Sequence, residues 1–246
     1  MLDTQTSPGS RNAPRQRDYF SVPARKYARM KPLRSPYVER HLDTTLASLG
    51  LAPGARVLEL GAGMGRFSLL LAERGYEVVA TDLSPELLAE LRRFDTSGRV
   101  QAIEADAFLV DRCVSGPFDA VLGFFFLHHL QDLGGVFAAA ARVLRPGGVV
   151  AFCEPSGLFA PFYLQIALTP GMSFEGERGM TQMRTAPLAA AARAAGLTVL
   201  PTRRYGLLPP ALANRSVGRF FEKLAEAALP AWAPLRAFQI FAARRA

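Results

Sequence analysis

Three glycines at alternate positions, Gly61-Ala62-Gly63-Met64-Gly65, lie between an apolar run that reads as a strand (Arg56-Val57-Leu58-Glu59-Leu60) and a segment with Phe67, Leu70 and Leu71 at helical spacing. No other stretch of the chain restricts its fold as much. Glycine adopts backbone angles that other residues resist, and without a side chain it lets a ligand rest against the main chain. The helix that follows opens with unpaired N–H groups, which suit a polar or anionic ligand. A strand, glycine loop and helix in this order predict an α/β sheet with a nucleotide-like ligand at the carboxyl end of its first strand, near the point where strand order reverses. The spacing also discriminates between ligands. The dinucleotide fingerprint is G-x-G-x-x-G; here the third glycine comes one position early, and Arg66 fills the dinucleotide slot. Glu59, just ahead of the loop, adds a negative charge that suits a ligand carrying a cation better than a pyrophosphate.

The alternation continues along the chain. Val38, Leu42, Leu46 and Leu49 predict a helix over 37–49, stopped by Gly50. A helix is expected over 64–74 and a strand over 77–81. Ser84 is a good N-cap, with Pro85 at the first helical position and Glu86 at the positive end of a helix running to Phe94. Strands follow at 100–104 and 118–124, and a helix at 133–144. Arg145-Pro146-Gly147-Gly148 reads as a tight turn into a strand at 149–153. Short apolar strands alternating with helices predict a Rossmann-like, doubly wound α/β sheet, mostly parallel. Beyond it lie a long connection (155–185), a helix over 186–195, a single strand over 197–205, a helix over 216–229 and a last strand over 237–242.

Charge divides the chain unevenly. Residues 1–40 hold nine basic and three acidic groups, so +6 of the net +8 lies there and the body is nearly neutral. Residues 1–36 are expected to form a basic arm, partly flexible, with a short helical lid at 24–30. Residues 37–246 are expected to form one domain with a capping insertion at about 155–185. Such an arm suits an anionic substrate, a membrane surface or nucleic acid, against a plainer reading as a solvated leader. No apolar run reaches the roughly 20 residues a membrane-spanning helix needs, and the first residues lack the apolar stretch of a secretory signal. Cys113 and Cys153 are the two cysteines. Cys153 falls in a buried-strand pattern, so no disulfide framework is expected and a cytoplasmic setting is.

Two carboxylates extend the argument. Asp82 ends the second strand, 21 residues past Gly61, where an acid can accept both hydroxyls of a ribose. Asp106 ends the third strand and can accept from an exocyclic amino group. Taken in order, Glu59 to Gly65, Asp82, Ala105-Asp106-Ala107, Phe118-Asp119-Ala120-Val121 and Leu144-Arg145-Pro146-Gly147-Gly148 resemble the motifs of class I S-adenosylmethionine-dependent methyltransferases, small-molecule branch, over about residues 37–155. The resemblance implies a seven-stranded sheet with an antiparallel last strand, the place taken by 237–242. It implies S-adenosyl-L-methionine as cofactor, with Glu59, Gly61, Ala62, Gly63 and Gly65 around its methionine part. Asp82 with Leu83 would hold the ribose, Asp106 with Ala107 the adenine, and Phe124 would line the pocket.

Displacement at a sulfonium methyl needs alignment above all, and a base only where the nucleophile must lose a proton. His128, His129 and Glu154 are the candidate catalytic residues, with Tyr205 a further one. Each also has a structural reading: packing, capping or a loop hydrogen bond. No metal site is expected, because His41, His128 and His129 are the three histidines, no Cys/His cluster exists, and adjacent side chains at 128 and 129 should point apart. Strand four is not followed by the Asn/Asp-Pro-Pro-Tyr/Phe run of DNA-base amino-methyltransferases, which argues against nucleic acid. The apolar segment 158–168, with Phe20, Tyr27 and Tyr37, points to an apolar or aromatic acceptor, with peripheral membrane contact as a further reading. Glu175, Glu177, Arg178 and Arg184 read as solvated. The function expected is methyl transfer to O, N or C of a small apolar or aromatic metabolite. A nucleic-acid or protein methyltransferase using the basic arm, and a non-catalytic cofactor-binding module, stay open. Nothing in the residues specifies an oligomeric state.

Overall fold

The computed structural model describes residues 31–168, 174, 177–231 and 233–246, with 178 and 233 described by their main chain alone. The expected lid helix at 24–30, together with Phe20, Tyr27 and Glu175, lies outside the described residues. Helix α1 (Pro36–Leu49) starts where Ser35 Oγ accepts the Val38 N–H at 3.3 Å, and ends at Gly50, whose φ of 63° is left-handed. The chain continues through β1 (Arg56–Leu60), α2 (Ser68–Glu73), β2 (Glu77–Asp82), α3 (Pro85–Phe94), β3 (Val100–Glu104), α4 (Val110–Cys113), β4 (Phe118–Phe124), α5 (Leu133–Val143) and β5 (Leu144–Pro155). After β5 come α6 (Ala160–Leu168), α7 (Thr185–Ala194), β6 (Leu197–Val199), β7 (Arg203–Tyr205), α8 (Pro210–Ala213), α9 (Ser216–Ala228) and β8 (Phe238–Arg245).

The strands lie in the order β3-β2-β1-β4-β5-β8-β6, with β7 also on β8. β1 to β5 are parallel, and β8 runs antiparallel to β5, β6 and β7. The order reverses between β1 and β4, which opens a crevice above their carboxyl ends. Along each strand neighbouring side chains enter opposite layers. Val57 packs with Leu42, Phe67 and Leu71 on one face, while Leu58 packs with Phe137, Phe152 and Leu188 on the other.

Three expectations need correction. The helix expected from residue 64 begins at Ser68, because Gly63 (φ 55°) and Gly65 (φ 84°) hold the chain in a region no right-handed helix uses. Strand five is longer than expected. Leu144 already pairs with Phe118 and pairing resumes at Ala120 with Val149, so residues 145–148 bulge out of one continuous strand. The single strand expected over 197–205 is two strands, so the sheet has eight among the described residues. Pro201 lies between them and has no N–H for the ladder, although β6 and β7 pair with successive parts of the same β8. No helix among the described residues is long and apolar enough to cross a membrane.

Candidate functional site

The glycine loop is tied to the second strand by main chain and by a carboxylate. Ala62 N–H donates to Thr81 O at 2.9 Å, and Asp82 Oδ2 accepts the Gly63 N–H at 2.8 Å. Asp82 Oδ1 accepts the Ser84 N–H at 2.9 Å. Burial pushes the Asp82 carboxyl above its ordinary range, against the pull of the amides of Ser84, Gly63 and Leu83. Each oxygen keeps lone-pair capacity for a further donor. Gly61 (φ 68°) has no room for a side chain, because a Cβ there would meet the Phe126 ring at 2.2 Å. The end of β4 thus rests directly on the loop.

Glu59 does not supply the open negative charge expected from the sequence. It is 1% exposed, and its carboxyl takes a hydrogen bond from Ser68 Oγ at the start of α2. Burial pushes it up to about 8, with nearby Asp82 adding to the rise and Ser68 opposing it, so the group is largely neutral at pH 7. It ties the loop to the next helix. Asp106 is half-buried one strand away and accepts the Phe108 N–H at 3.0 Å, with Ala107 and Leu83 half-buried along the same rim. Phe124 is buried and stacks on Phe67, ring centroids 4.0 Å apart. The half-buried rings at the strand end are those of Phe125 and Phe126.

Beyond β4 the chain turns sharply. Phe125 has φ 53°, a strained angle for an aromatic residue, and its N–H donates to Cys153 O at 2.9 Å. Glu154 secures the residues that follow: Oε1 accepts the N–H groups of Phe126 (2.8 Å) and Leu127 (2.6 Å), and Oε2 lies 2.6 Å from His128 Nδ1. This carboxylate is 1% exposed and turned into the protein, away from the open rim. On the other side of the ring, His128 Nε2 is 3.3 Å from Glu177 Oε2, an ion-pair distance without hydrogen-bond alignment. Burial would lower His128, but Glu154 and Glu177 outweigh it and push the imidazole up to about 9.

Two readings of this segment are thereby overturned. Glu177 is buried against His128 instead of solvated, whereas Arg184 is exposed as expected. The rings of His128 and His129 do not point apart: their centroids are 4.0 Å apart, and one ligand atom from each lies within 4.8 Å of the others and of a Glu177 oxygen. A cation in that cluster would have to displace the proton that two carboxylates hold on His128.

A second polar group, of which the sequence singled out Tyr205 alone, lies under the same rim. His41 of α1 is packed edge-on among Tyr37, Phe125 and Phe238, with its Nδ1 2.6 Å from the Tyr205 hydroxyl. That hydroxyl is 3.1 Å from Cys153 Sγ. Burial lowers His41 to about 3, with Arg40 adding to the fall, and pushes the Cys153 thiol up to about 12. His41 Nε2 is buried and makes no hydrogen bond. The sequence signal was the four-residue step from Tyr37 to His41 on one helix face. Asp119 and Arg145, which carry two of the family-like motifs, lie at the opposite end of the sheet: Asp119 accepts the Arg56 N–H at 2.8 Å and pairs with Arg145 Nε at 2.6 Å. Their task there is to join the starts of β1, β4 and β5.

Comparison with known proteins agrees with this geometry. Residues 58–152 match the family described as methyltransferase domain. A ubiquinone biosynthesis O-methyltransferase of Xanthomonas oryzae is 35% identical over 154 residues, covering 60% of this chain and 64% of that protein. One of the same name from Xylella fastidiosa is 32% identical over 178 residues, 68% of each chain. The crystal structure of a SAM-dependent methyltransferase from Archaeoglobus fulgidus superposes with a TM-score of 0.60 at 15% identity, covering 85% of this chain and 93% of that one, which shows a shared fold. The chain spans about two thirds of the length of the curated relatives it matches. The order of motifs, the sheet and the extent of the shared sequence together show that this chain belongs to the class I S-adenosylmethionine-dependent methyltransferases.

Proposed function

We propose that the protein transfers a methyl group from S-adenosylmethionine to a small apolar or aromatic metabolite in the cytoplasm, with residues 37–246 as the working unit and 155–185 as its cap. The observation that carries the reading is the Asp82 carboxylate bound to the Gly63 N–H at the switch point of the sheet. It puts a ribose-accepting acid and a side-chain-free main chain side by side, and the donor set fits the cofactor. In this reading Gly61 to Gly65 lie against the methionine part, Asp82 with Leu83 takes the ribose hydroxyls and Asp106 with Ala107 the adenine amino group. When bound, the cofactor supplies an electrophilic methyl on a sulfonium.

The rest of the rim excludes water and orients the acceptor. Tyr37, Phe125 and Phe126 present half-buried rings suited to a flat apolar acceptor. His128 is a positioning residue: it keeps its proton between two carboxylates, so it is a poor base at neutral pH. Glu154 holds the turn after β4. His129, half-buried beside them, is left as the histidine nearer the open side. O, N and C remain the candidate methylated atoms, and the O-methyltransferase names of the similar proteins from Xanthomonas oryzae and Xylella fastidiosa support a hydroxyl oxygen on an aromatic ring.

Calorimetry with S-adenosylmethionine and its demethylated product, against NAD as control, tests the site. Binding of the first two and not of NAD is expected, followed by transfer of labelled methyl to a catechol or hydroquinone. NAD binding in their place would overturn the proposal.

A further inference from the structure

The amino ends of β4 and β5 frame a pocket at the end of the sheet opposite the crevice. β4 is seven residues long, so at a rise of about 3.3 Å per residue the two sites lie roughly 20 Å apart. The pocket holds about 440 Å³, within the range of small-ligand sites. Val114, Val143 and Leu144, all buried, line it together with Pro117 and Pro146. Arg56 steadies the Pro117 side, its Nη1 donating to Ser115 O at 2.8 Å and to Pro117 O at 3.3 Å. Three guanidiniums reach the same space: Arg142 from α5, Arg145 from the bulge of β5 and Arg245 from the end of β8. Asp111 lines it too, so the lining charges sum to +2.

Each guanidinium is anchored on one side and uncommitted on another. Arg142 gives Nε and Nη2 to Asp111, at 2.6 and 3.1 Å. Arg145 gives Nε to Asp119 at 2.6 Å and Nη1 to Pro146 O at 3.1 Å. Arg245 Nη1 donates to Leu144 O and Arg142 O. Among the described residues, none accepts from Arg142 Nη1, Arg145 Nη2 or Arg245 Nη2. The side chains of Arg142 and Arg145 are 54% and 51% exposed, so a ligand reaches them from solvent. Their anchors hold the planar forks in place in advance, which lowers the cost of ordering them on a ligand. Guanidinium forks match phosphate oxygens, and a phosphate monoester carries about −1.5 to −2 at pH 7, which balances the surplus. The donors border a concave apolar floor, which suits one compact ligand better than the backbone of a polymer. We propose that this pocket binds a small phosphate monoester with a flat apolar body: the phosphate meets the three uncommitted arms and the body rests on Val114, Val143 and Leu144. The inference stands on this pocket alone and is independent of methyl transfer.

The test is titration calorimetry of the full chain with phenyl phosphate, in the presence of excess demethylated product of S-adenosylmethionine. Saturable binding is expected, at least tenfold weaker in Arg142→Gln/Arg245→Gln and in Pro146→Glu. The second variant keeps all three arginines with their anchors and sets a competing carboxylate at an exposed position of the wall. Affinity for S-adenosylmethionine should be unchanged in both. Inorganic phosphate should bind at least about threefold more weakly than phenyl phosphate, the ring adding apolar contact. No saturable binding of phenyl phosphate would overturn the proposal. Binding that neither variant weakens would overturn it in favour of another surface, and equal affinity for inorganic phosphate would overturn the apolar part of the ligand.

Discussion

The two flanks of β1 are built on different principles. On the side of β2 and β3, the groups that face the crevice come from one run between Gly61 and Asp106 and act largely through the main chain. On the side of β4, β5, β7 and β8, the polar groups lie buried beneath the rim and are side chains gathered from positions as far apart as His41, His128, Glu154, Glu177 and Tyr205. The first flank is a fixed socket that leaves little to substitute. The second is a set of buried polar groups in which burial keeps His41 neutral while Glu154 and Glu177 favour the charged form of His128. Common features of a family are expected on the first flank and individual chemistry on the second.

The largest effect that separates the flanks is expected from Gly61→Val. A β-branched residue at φ 68° whose Cβ overlaps the Phe126 ring should weaken S-adenosylmethionine binding by about 100-fold or more, read by calorimetry. Binding within a few-fold of wild type would show that the loop is no socket.

On the second flank, His128→Asn should leave cofactor affinity within about threefold while lowering stability by about 2–4 kcal/mol at pH 7. His128 is raised in the folded state to about 9, so its contribution is complete below its ordinary value near 6.5 and disappears as pH rises through 9. The melting-temperature gap between wild type and variant should therefore close between pH 7 and pH 10. A gap that is constant with pH would remove the two-carboxylate account.

Asp82→Ala returns to the socket, with an expected loss of cofactor affinity of at least about tenfold as a buried polar partner is removed. The smallest effect is expected from Tyr205→Phe, which deletes the contacts to His41 and Cys153. It should lower the melting temperature by about 2–4 °C and leave cofactor affinity unchanged. Altered affinity in that variant would mean that the two flanks are coupled.

The same division explains what could be read from the residues. The glycine loop, the Ser84 cap and Asp82 were legible because each depends on neighbours a few positions away along the chain. Glu177 was not: whether a carboxylate meets water or an imidazole depends on how the 155–185 connection folds back over β4, which no local spacing encodes. Glu154 was half legible. Its place at the end of β5 was clear, but its hold on Phe126 and Leu127 follows from the parallel register that sets Phe124 beside Cys153. For α9 the pattern predicted a helix without saying which face turns inward. The free N–H groups at 206–208 and the guanidinium of Arg40, 182 positions before Glu222, decide that.

One consequence of the strand order concerns synthesis. β8 lies between β5 and the pair β6 and β7, and, following all three in the chain, it is made after every strand it joins. Until residues 238–245 leave the ribosome, β5 exposes an unpaired edge along Val149 to Pro155, and β6 and β7 have no partner strand in the sheet. During translation that edge is an open template for a neighbouring nascent chain, closed only by the arrival of β8.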